Sequence, residues 1–423
     1  MGRDLLADSP AFAARFAECE AALAPHIDFS LRDALAEPPQ AADIVQPLLW
    51  AVAVSLAAVW QAGGVEPASV VGHSQGEIAA ATVAGVLTLE DGARVVALRS
   101  KALRALAGAG GMLSIAESAD RVRERLAAFG DRLSVAAVNG PAATVVAGEP
   151  EAVQALKELC DADEVRARVV PVDYASHSAH VDAIESEIRT ALAGITPRAA
   201  AVPLVSAMSG EWLQGPEMDA AYWFASLRSP VEFDRAVQVL AGSGHDAFVE
   251  VSAHPVLTTA ITDTLEDLGR GNLSAVIGTL RRDEGGSDRL LASLAEAHVH
   301  GVAVDWTALL TPGHRIELPT YAFQRQRFWL TDDSVPGASA AAGAGGPAGP
   351  PPVPDRPGRP GRPGQPGHPP PTPCGPAPSR TPCSAASSSI CRSWNASSSR
   401  WTWSARTPPR SSATPRTTPS TRR

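Results

Sequence analysis

Short apolar runs bounded by turn residues alternate along this chain with longer segments of helical period, the pattern of an α/β protein. Residues Ser9 to Leu23 read as an amphipathic helix, and Ile44 to Trp60 as a longer, mostly buried one. The run Ala68-Ser69-Val70-Val71 then has the length and boundaries of a buried strand, whereas Ile78-Ala79-Ala80-Ala81-Thr82-Val83-Ala84 continues only as a helix. From Met112 to Val172 the order changes. Met112 to Ile115 predicts a strand, Ala119 to Phe129 a helix, Leu133 to Val138 and Ala143 to Ala147 two strands joined at Asn139-Gly140-Pro141, Glu151 to Leu159 a helix, and Arg166 to Val172 a strand. That βαββαβ order is a ferredoxin-like unit set into a larger α/β domain, whose later strands are predicted at Pro203 to Ser206 and Ala247 to Val251. The predicted organisation is thus a large α/β subdomain over residues 1–111 and 173–310 and a small ferredoxin-like subdomain over 112–172.

The junction of the first strand and its helix carries the most chemistry. Gly72-His73-Ser74-Gln75-Gly76-Glu77 puts a serine between two glycines at a strand-to-helix turn, the sequence form of a nucleophile elbow. Side chains at Gly72 and Gly76 would crowd that turn, and the N–H of Gln75 would face an oxygen that becomes negative when Ser74 attacks a carbonyl. The implied chemistry is acyl transfer through an ester on Ser74. Serine needs a base, and His177 in Tyr174-Ala175-Ser176-His177-Ser178 lies where the small unit returns to the large one. His180, three residues on, is a rival that spacing alone does not exclude. Taken singly, His177 reads as a surface histidine, Arg99 as a solvated helix arginine, and Glu77 as an acid favoured by the dipole of the helix it opens.

Composition splits the chain near residue 334. The formal net charge of the 423 residues is −9. Before the break the texture is globular and acidic, without the basic footprint of nucleic-acid binding. From Ser334 to Arg423 there is one acid, Asp355, with abundant Pro, Gly, Ser, Thr and Arg and almost no Leu, Ile or Val, so disorder is expected. Its monotony in a chain whose only lysines are Lys101 and Lys157 suggests GC-rich coding sequence read out of frame. A basic linker or nucleic-acid tail is the alternative, against which stand Trp394, Trp401, Trp403 and three cysteines. Cys19 and Cys160 are too few and too far apart for a disulfide framework or metal site, which fits a reducing cytoplasm. The amino terminus has no signal-peptide pattern, and Leu48 to Trp60 is too short to span a bilayer.

Five strings in order, the elbow hexapeptide, Leu98 to Leu106, Tyr174 to Ser178, Glu250 to Leu257 and Leu318 to Trp329, resemble the acyltransferase domain of modular type I polyketide synthases over nearly all of residues 1–330. The resemblance implies an α/β-hydrolase-like fold, acylation of Ser74 by an extender-unit thioester of coenzyme A, and His177 as the base. It implies transfer to the phosphopantetheine thiol of an acyl carrier protein, no bound cofactor or metal, and neighbouring ketosynthase and other synthase domains as partners. It assigns Arg99 to the free carboxylate of a malonyl-type group, and gives His73 a place in the substrate pocket. No acid completes a triad; a backbone carbonyl orients the imidazole, and the matching position is Ser226. Tyr174 and Ser176 stand where malonyl-specific members carry His and Phe, and the smaller Ser176 leaves room for an α-methyl branch. Gln75 and the run Asp43-Ile44-Val45-Gln46 also resemble the methylmalonyl type, although Ala41 and Ala42 depart from its usual pattern. Family members have a strand and a Gly-rich turn, carrying a second oxyanion donor, before the equivalent of Met1, so this polypeptide alone is expected to be weak or inactive. Residues 311–333 resemble the linker that follows the acyltransferase. A serine hydrolase with the same elbow and a non-catalytic scaffold are the competing readings, and Arg99 discriminates the first, since a carboxylate clamp serves no generic ester.

Overall fold

The computed structural model describes residues 2–36, 41–310, 313 and, as backbone, 401–405. All of these except Gly313 fall in one compact unit. Eleven strands are seen among them: β1 Ser69–Gly72, β2 Gly111–Ile115, β3 Leu133–Gly140, β4 Ala143–Gly148, β5 Ala167–Val170, β6 Leu204–Val205, β7 Trp212–Leu213, β8 Val231–Glu232, β9 Ala247–Glu250, β10 Ala275–Gly278 and β11 Trp401–Ala405.

A six-stranded sheet runs in the order β10-β9-β11-β1-β6-β7. β1 and β6 are parallel, as are β9 and β10. β1 and β9 are buried at every position, as expected of central strands covered by helices on both faces. The helix Ala42–Ala62 packs beside them. It is longer than the Ile44 to Trp60 pattern predicts, and at 21 residues it is long and apolar enough to cross a membrane. Its apolarity is accounted for by packing: Trp50, Val52, Leu56, Val59 and Trp60 all lie in the main core, and the Trp60 indole donates to Thr279 Oγ1 at 3.0 Å. The amino-terminal helix Pro10–Leu23, capped by Ser9 Oγ, stacks Phe12 on Phe16 into the same core.

The second sheet has the order β5-β2-β4-β3-β8. Its first four strands, with helices Ala119–Leu126 and Pro150–Ala162 between them, form the antiparallel ferredoxin-like arrangement expected of a βαββαβ sequence. β8, from the part of the chain assigned to the large subdomain, adds in parallel to β3, a join that two residues give no periodic signal to predict. Entry to and exit from the unit touch at Gly110, where a Cβ would lie 2.3 Å from Ala175 N; only glycine fits there.

Trp401–Ala405, inside the tail expected to lack structure, pairs antiparallel with both β1 and β9. The physical reason is the ladder itself. Without an intervening strand, β1 and β9 would each present a row of unpaired backbone groups in the middle of a buried sheet. Apart from Gly313, the expected linker at 311–333 and the remainder of the tail lie outside the described residues.

Candidate active site

β1 delivers its carboxyl end to a sharp turn. A Cβ on Gly72 would stand 2.3 Å from both the N and Cα of Glu77, so the strand and the following helix, Gly76–Val83, approach this closely only through glycine. Ser74 sits at the apex with φ 53°, a left-handed conformation that non-glycine residues adopt at a cost. The N–H groups of Gly76, Glu77 and Ile78 are spent on His73, Ser74 and Gln75 carbonyls. That of Gln75 has no hydrogen-bond partner among the described residues and is free to serve an incoming oxyanion.

His177 meets Ser74 from 103 residues further along the chain. Its Nε2 lies 2.8 Å from Ser74 Oγ. Its Nδ1 lies 2.8 Å from the carbonyl oxygen of Ser229, which only accepts, so Nδ1 carries the proton and Nε2 is left to accept from the serine hydroxyl. The backbone helps too: His177 N–H donates to Leu227 O at 2.8 Å, and the residue is held at φ 59°. The orienting carbonyl is therefore Ser229's, three residues beyond the expected Ser226, whose carbonyl contributes more weakly. Helix Ala220–Arg228 has ended by Ser229, freeing a carbonyl to face the imidazole. Burial drives the His177 pKa down to about 3, with His73 and Arg99 lowering it further and the Ser229 hydrogen bond opposing them. The imidazole is neutral at physiological pH. His180, the rival base, instead donates its backbone N–H to Ser178 Oγ, with no hydrogen bond to Ser74 among the described residues.

Arg99, on helix Leu89–Ala102, is 1% exposed rather than solvated. Its Nε and Nη1 have no partner among the described residues. Burial lowers its pKa to about 10, against the attraction of Glu77, and its charge reaches Tyr174 and His177. A buried guanidinium with donors unspent is poised for an anion that is planar and bidentate. Tyr174 is buried, and its hydroxyl accepts a long bond, 3.5 Å, from Gln46 Nε2. Ser176 packs its hydroxyl 3.7 Å from Met112 Sδ. His73 donates from Nε2 to Asn139 Oδ1 at 2.7 Å and meets Phe233 edge-on. Burial lowers the His73 pKa, and among the described residues its Nδ1 has no partner, nor does either polar atom of the Gln75 side chain. Among the described residues no cluster of three or more His, Cys, Asp or Glu is placed to hold a metal ion.

Three participants were not legible in the pattern. Glu77 is no ordinary first-turn acid: it is 1% exposed and accepts from Tyr222 Oη at 2.8 Å, Ser226 Oγ at 3.0 Å and Ala207 N at 3.2 Å. Ser229 acts through its backbone, which no side-chain motif marks. Asn139, read as a turn residue, uses its side chain to hold His73.

The acyl transferase domain family matches residues 1–304. The chain is 56% identical over 345 residues to the polyketide synthase GfsE of Streptomyces halstedii, covering 81% of this chain and 9% of that protein. It is 55% identical over 341 residues to the pikromycin polyketide synthase component PikAII of Streptomyces venezuelae, covering 79% and 9%. It thus spans about a tenth of the length of these relatives. Among solved structures it resembles the acyltransferase domain from module 8 of the salinomycin polyketide synthase, with 55% identity, a TM-score of 0.71, and 73% and 74% of the two chains covered. A loading acyltransferase from the avermectin synthase aligns at 44% identity and a TM-score of 0.68, over 70% of this chain and 95% of that one. A Ser-His pair on a nucleophile elbow, in this fold and at these identities, makes the chain a member of the acyl transferase domain family, an acyltransferase of the kind found in modular polyketide synthases.

Proposed function

We propose that this domain loads an α-carboxylated extender unit, methylmalonyl in preference to malonyl, from its coenzyme A thioester onto Ser74 and passes it to the phosphopantetheine thiol of an acyl carrier protein. The observation that carries the reading is Arg99: a buried cation with unspent donors beside a Ser-His pair suits a substrate with a free carboxylate. In the first half-reaction His177 Nε2 takes the proton of Ser74 as Oγ bonds to the thioester carbon. The carbonyl oxygen becomes an oxyanion within reach of the Gln75 N–H. Collapse breaks the C–S bond, and the proton on Nε2 leaves with the coenzyme A thiol. In the second half His177 deprotonates the carrier's thiol, which attacks the Ser74 ester; the acyl group departs on sulfur, and the proton returns to Ser74. Throughout, the Ser229 carbonyl steadies Nδ1–H and the imidazolium that forms.

The preference for a methyl branch rests on the small Ser176 beside Met112, and an acyl carrier protein as partner is supported by the likeness, at 25% identity and a TM-score of 0.61, to a malonyl-transacylase solved with its acyl-carrier protein. We assign the work to the cytoplasm, in keeping with Cys19 and Cys160 being free and buried. The test is intact-protein mass spectrometry after brief exposure to methylmalonyl-CoA and malonyl-CoA in competition. A methylmalonyl adduct lost in Ser74→Ala supports the proposal; predominance of malonyl sinks the preference, and an adduct that survives Ser74→Ala sinks the nucleophile.

A further inference from the structure

We infer that Glu77 is a positioning residue for His177, tying the helix that carries the nucleophile to the helix whose end orients the base. The inference rests on the Ser74-His177 reading above. Glu77 lies three residues past Ser74 in the elbow helix. One carboxylate oxygen accepts from Tyr222 Oη and Ala207 N, and the other from Ser226 Oγ. Tyr222 and Ser226 are four residues apart, on one face of helix Ala220–Arg228, so the carboxylate grips that helix on two successive turns. The same helix runs out into the two carbonyls that hold the base: Leu227 O takes the His177 backbone N–H, and Ser229 O takes the ring. Ala207 follows β6, the parallel neighbour of β1, so the third bond fixes the carboxylate to the sheet from which the elbow springs. Tyr222 is braced in turn by Ser206 Oγ at 2.7 Å, which also accepts from Met208 N.

Packing alone does not call for this arrangement. A carboxylate is among the costliest groups to bury, and an apolar side chain would fill the space without three compensating donors. What the carboxylate adds is register. At 2.8 Å the Nδ1 bond to Ser229 O is lost with a displacement of about 1 Å, enough to misplace a catalytic group by ~10²-fold in rate.

The test uses the full chain, with ¹⁵N-labelled histidine to follow the His177 Nδ1–H resonance, identified by its loss in His177→Ala, together with single-turnover loading of Ser74 by methylmalonyl-CoA. Glu77→Ala that still unfolds cooperatively is expected to lose the protected resonance and to load about 10²-fold more slowly, with the half-saturating thioester concentration little changed. Glu77→Gln keeps an acceptor for Tyr222 and Ala207 and is expected to recover most of both. Should Glu77→Ala fail to fold, Tyr222→Phe combined with Ser226→Ala leaves the carboxylate and removes its grip on the helix; the same double loss is expected. A folded Glu77→Ala or double variant that keeps the resonance at wild-type intensity overturns the inference, as does a Glu77→Gln protein no better than Glu77→Ala. A wild-type protein without the protected His177 Nδ1–H resonance overturns the dyad itself, a different failure from variants that match a wild type showing it.

Discussion

Replacing Arg99 by methionine should make this protein more stable and less able to load. Arg99 is 1% exposed, and two of its donor nitrogens have no partner among the described residues. Exchanging such a buried charge for an apolar side chain of similar length removes a desolvation cost on the order of several kcal/mol per ion. Loss of the attraction between Arg99 and Glu77 takes some of that back, so a gain of about 1–2 kcal/mol is expected in urea unfolding. Loading moves the other way. Two charge-assisted bonds to a substrate carboxylate, at about 1.5–3 kcal/mol each, amount to 3–6 kcal/mol and a fall of roughly 10²–10⁴ in kcat/KM. Single-turnover mass spectrometry with methylmalonyl-CoA, and with propionyl-CoA as the substrate lacking the carboxylate, separates the effects: only the former should fall. An Arg99→Met protein that loads methylmalonyl within about fivefold of wild type would refute the carboxylate argument, since fivefold is below 1 kcal/mol. Stability falling by more than 1 kcal/mol would show that the guanidinium is satisfied in the resting protein.

Ser176→Phe should fill the space proposed for the α-methyl group and lower the methylmalonyl-to-malonyl loading ratio by about 10–200-fold, the worth of one methylene in an apolar pocket; an unchanged ratio in competition would remove Ser176 from the specificity argument. Gly72→Ala sets a Cβ 2.3 Å from the backbone of Glu77, where nothing flexible can give way, and should cost more than ~3 kcal/mol in denaturant unfolding; a wild-type midpoint would count against the close approach. His177 has a folded pKa of about 3 against an ordinary 6.5, so between these values the unfolded chain binds a proton that the folded one does not, and stability rises with pH through that window. The slope from this group is up to ~1.4 kcal/mol per pH unit, and His177→Gln should flatten the curve between pH 4 and 6 if the assignment is right.

How far the sequence speaks for the fold depends on how local each signal is. The elbow was legible because its demands are local: Gly72 must lack a side chain to pass Glu77, and Ser74 must follow within two residues. The ferredoxin-like unit was legible because each of its four main strands is long enough to show a boundary. β7 and β8, two residues each, have no period to read, and β8 enters its sheet through the parallel partner β3 rather than through its own composition. β11 has no signal of its own, since its neighbours in sequence are too poor in apolar residues to form a core, whereas its neighbours in space, β1 and β9, leave a slot that an extended backbone can pair. The site divides along the same line. Ser74, His177 and Arg99 sit in recognisable strings, while the groups around them, the Ser229 carbonyl and the Tyr222 and Ser226 hydroxyls on Glu77, work through backbone or through contacts across 130 residues or more.

Arg99 and His177 are also linked to each other, and the link bears on selectivity. Arg99 is one of the groups that lower the basicity of His177, behind burial and alongside His73. A carboxylate seated on the guanidinium neutralises that charge and so removes part of the depression. The substrate would then strengthen the base that activates its own nucleophile, whereas a thioester without a carboxylate would find the imidazole as weak as in the free protein. The hypothesis separates positioning from activation through pH. For methylmalonyl-CoA, the acid limb of the single-turnover rate at saturation should lie at higher pH than the limb of kcat/KM, because the first reports His177 in the complex and the second in the free enzyme. For propionyl-CoA the two limbs should coincide. If they separate equally for both substrates, Arg99 does not tune the base, and any selectivity for charged acyl units comes from binding alone.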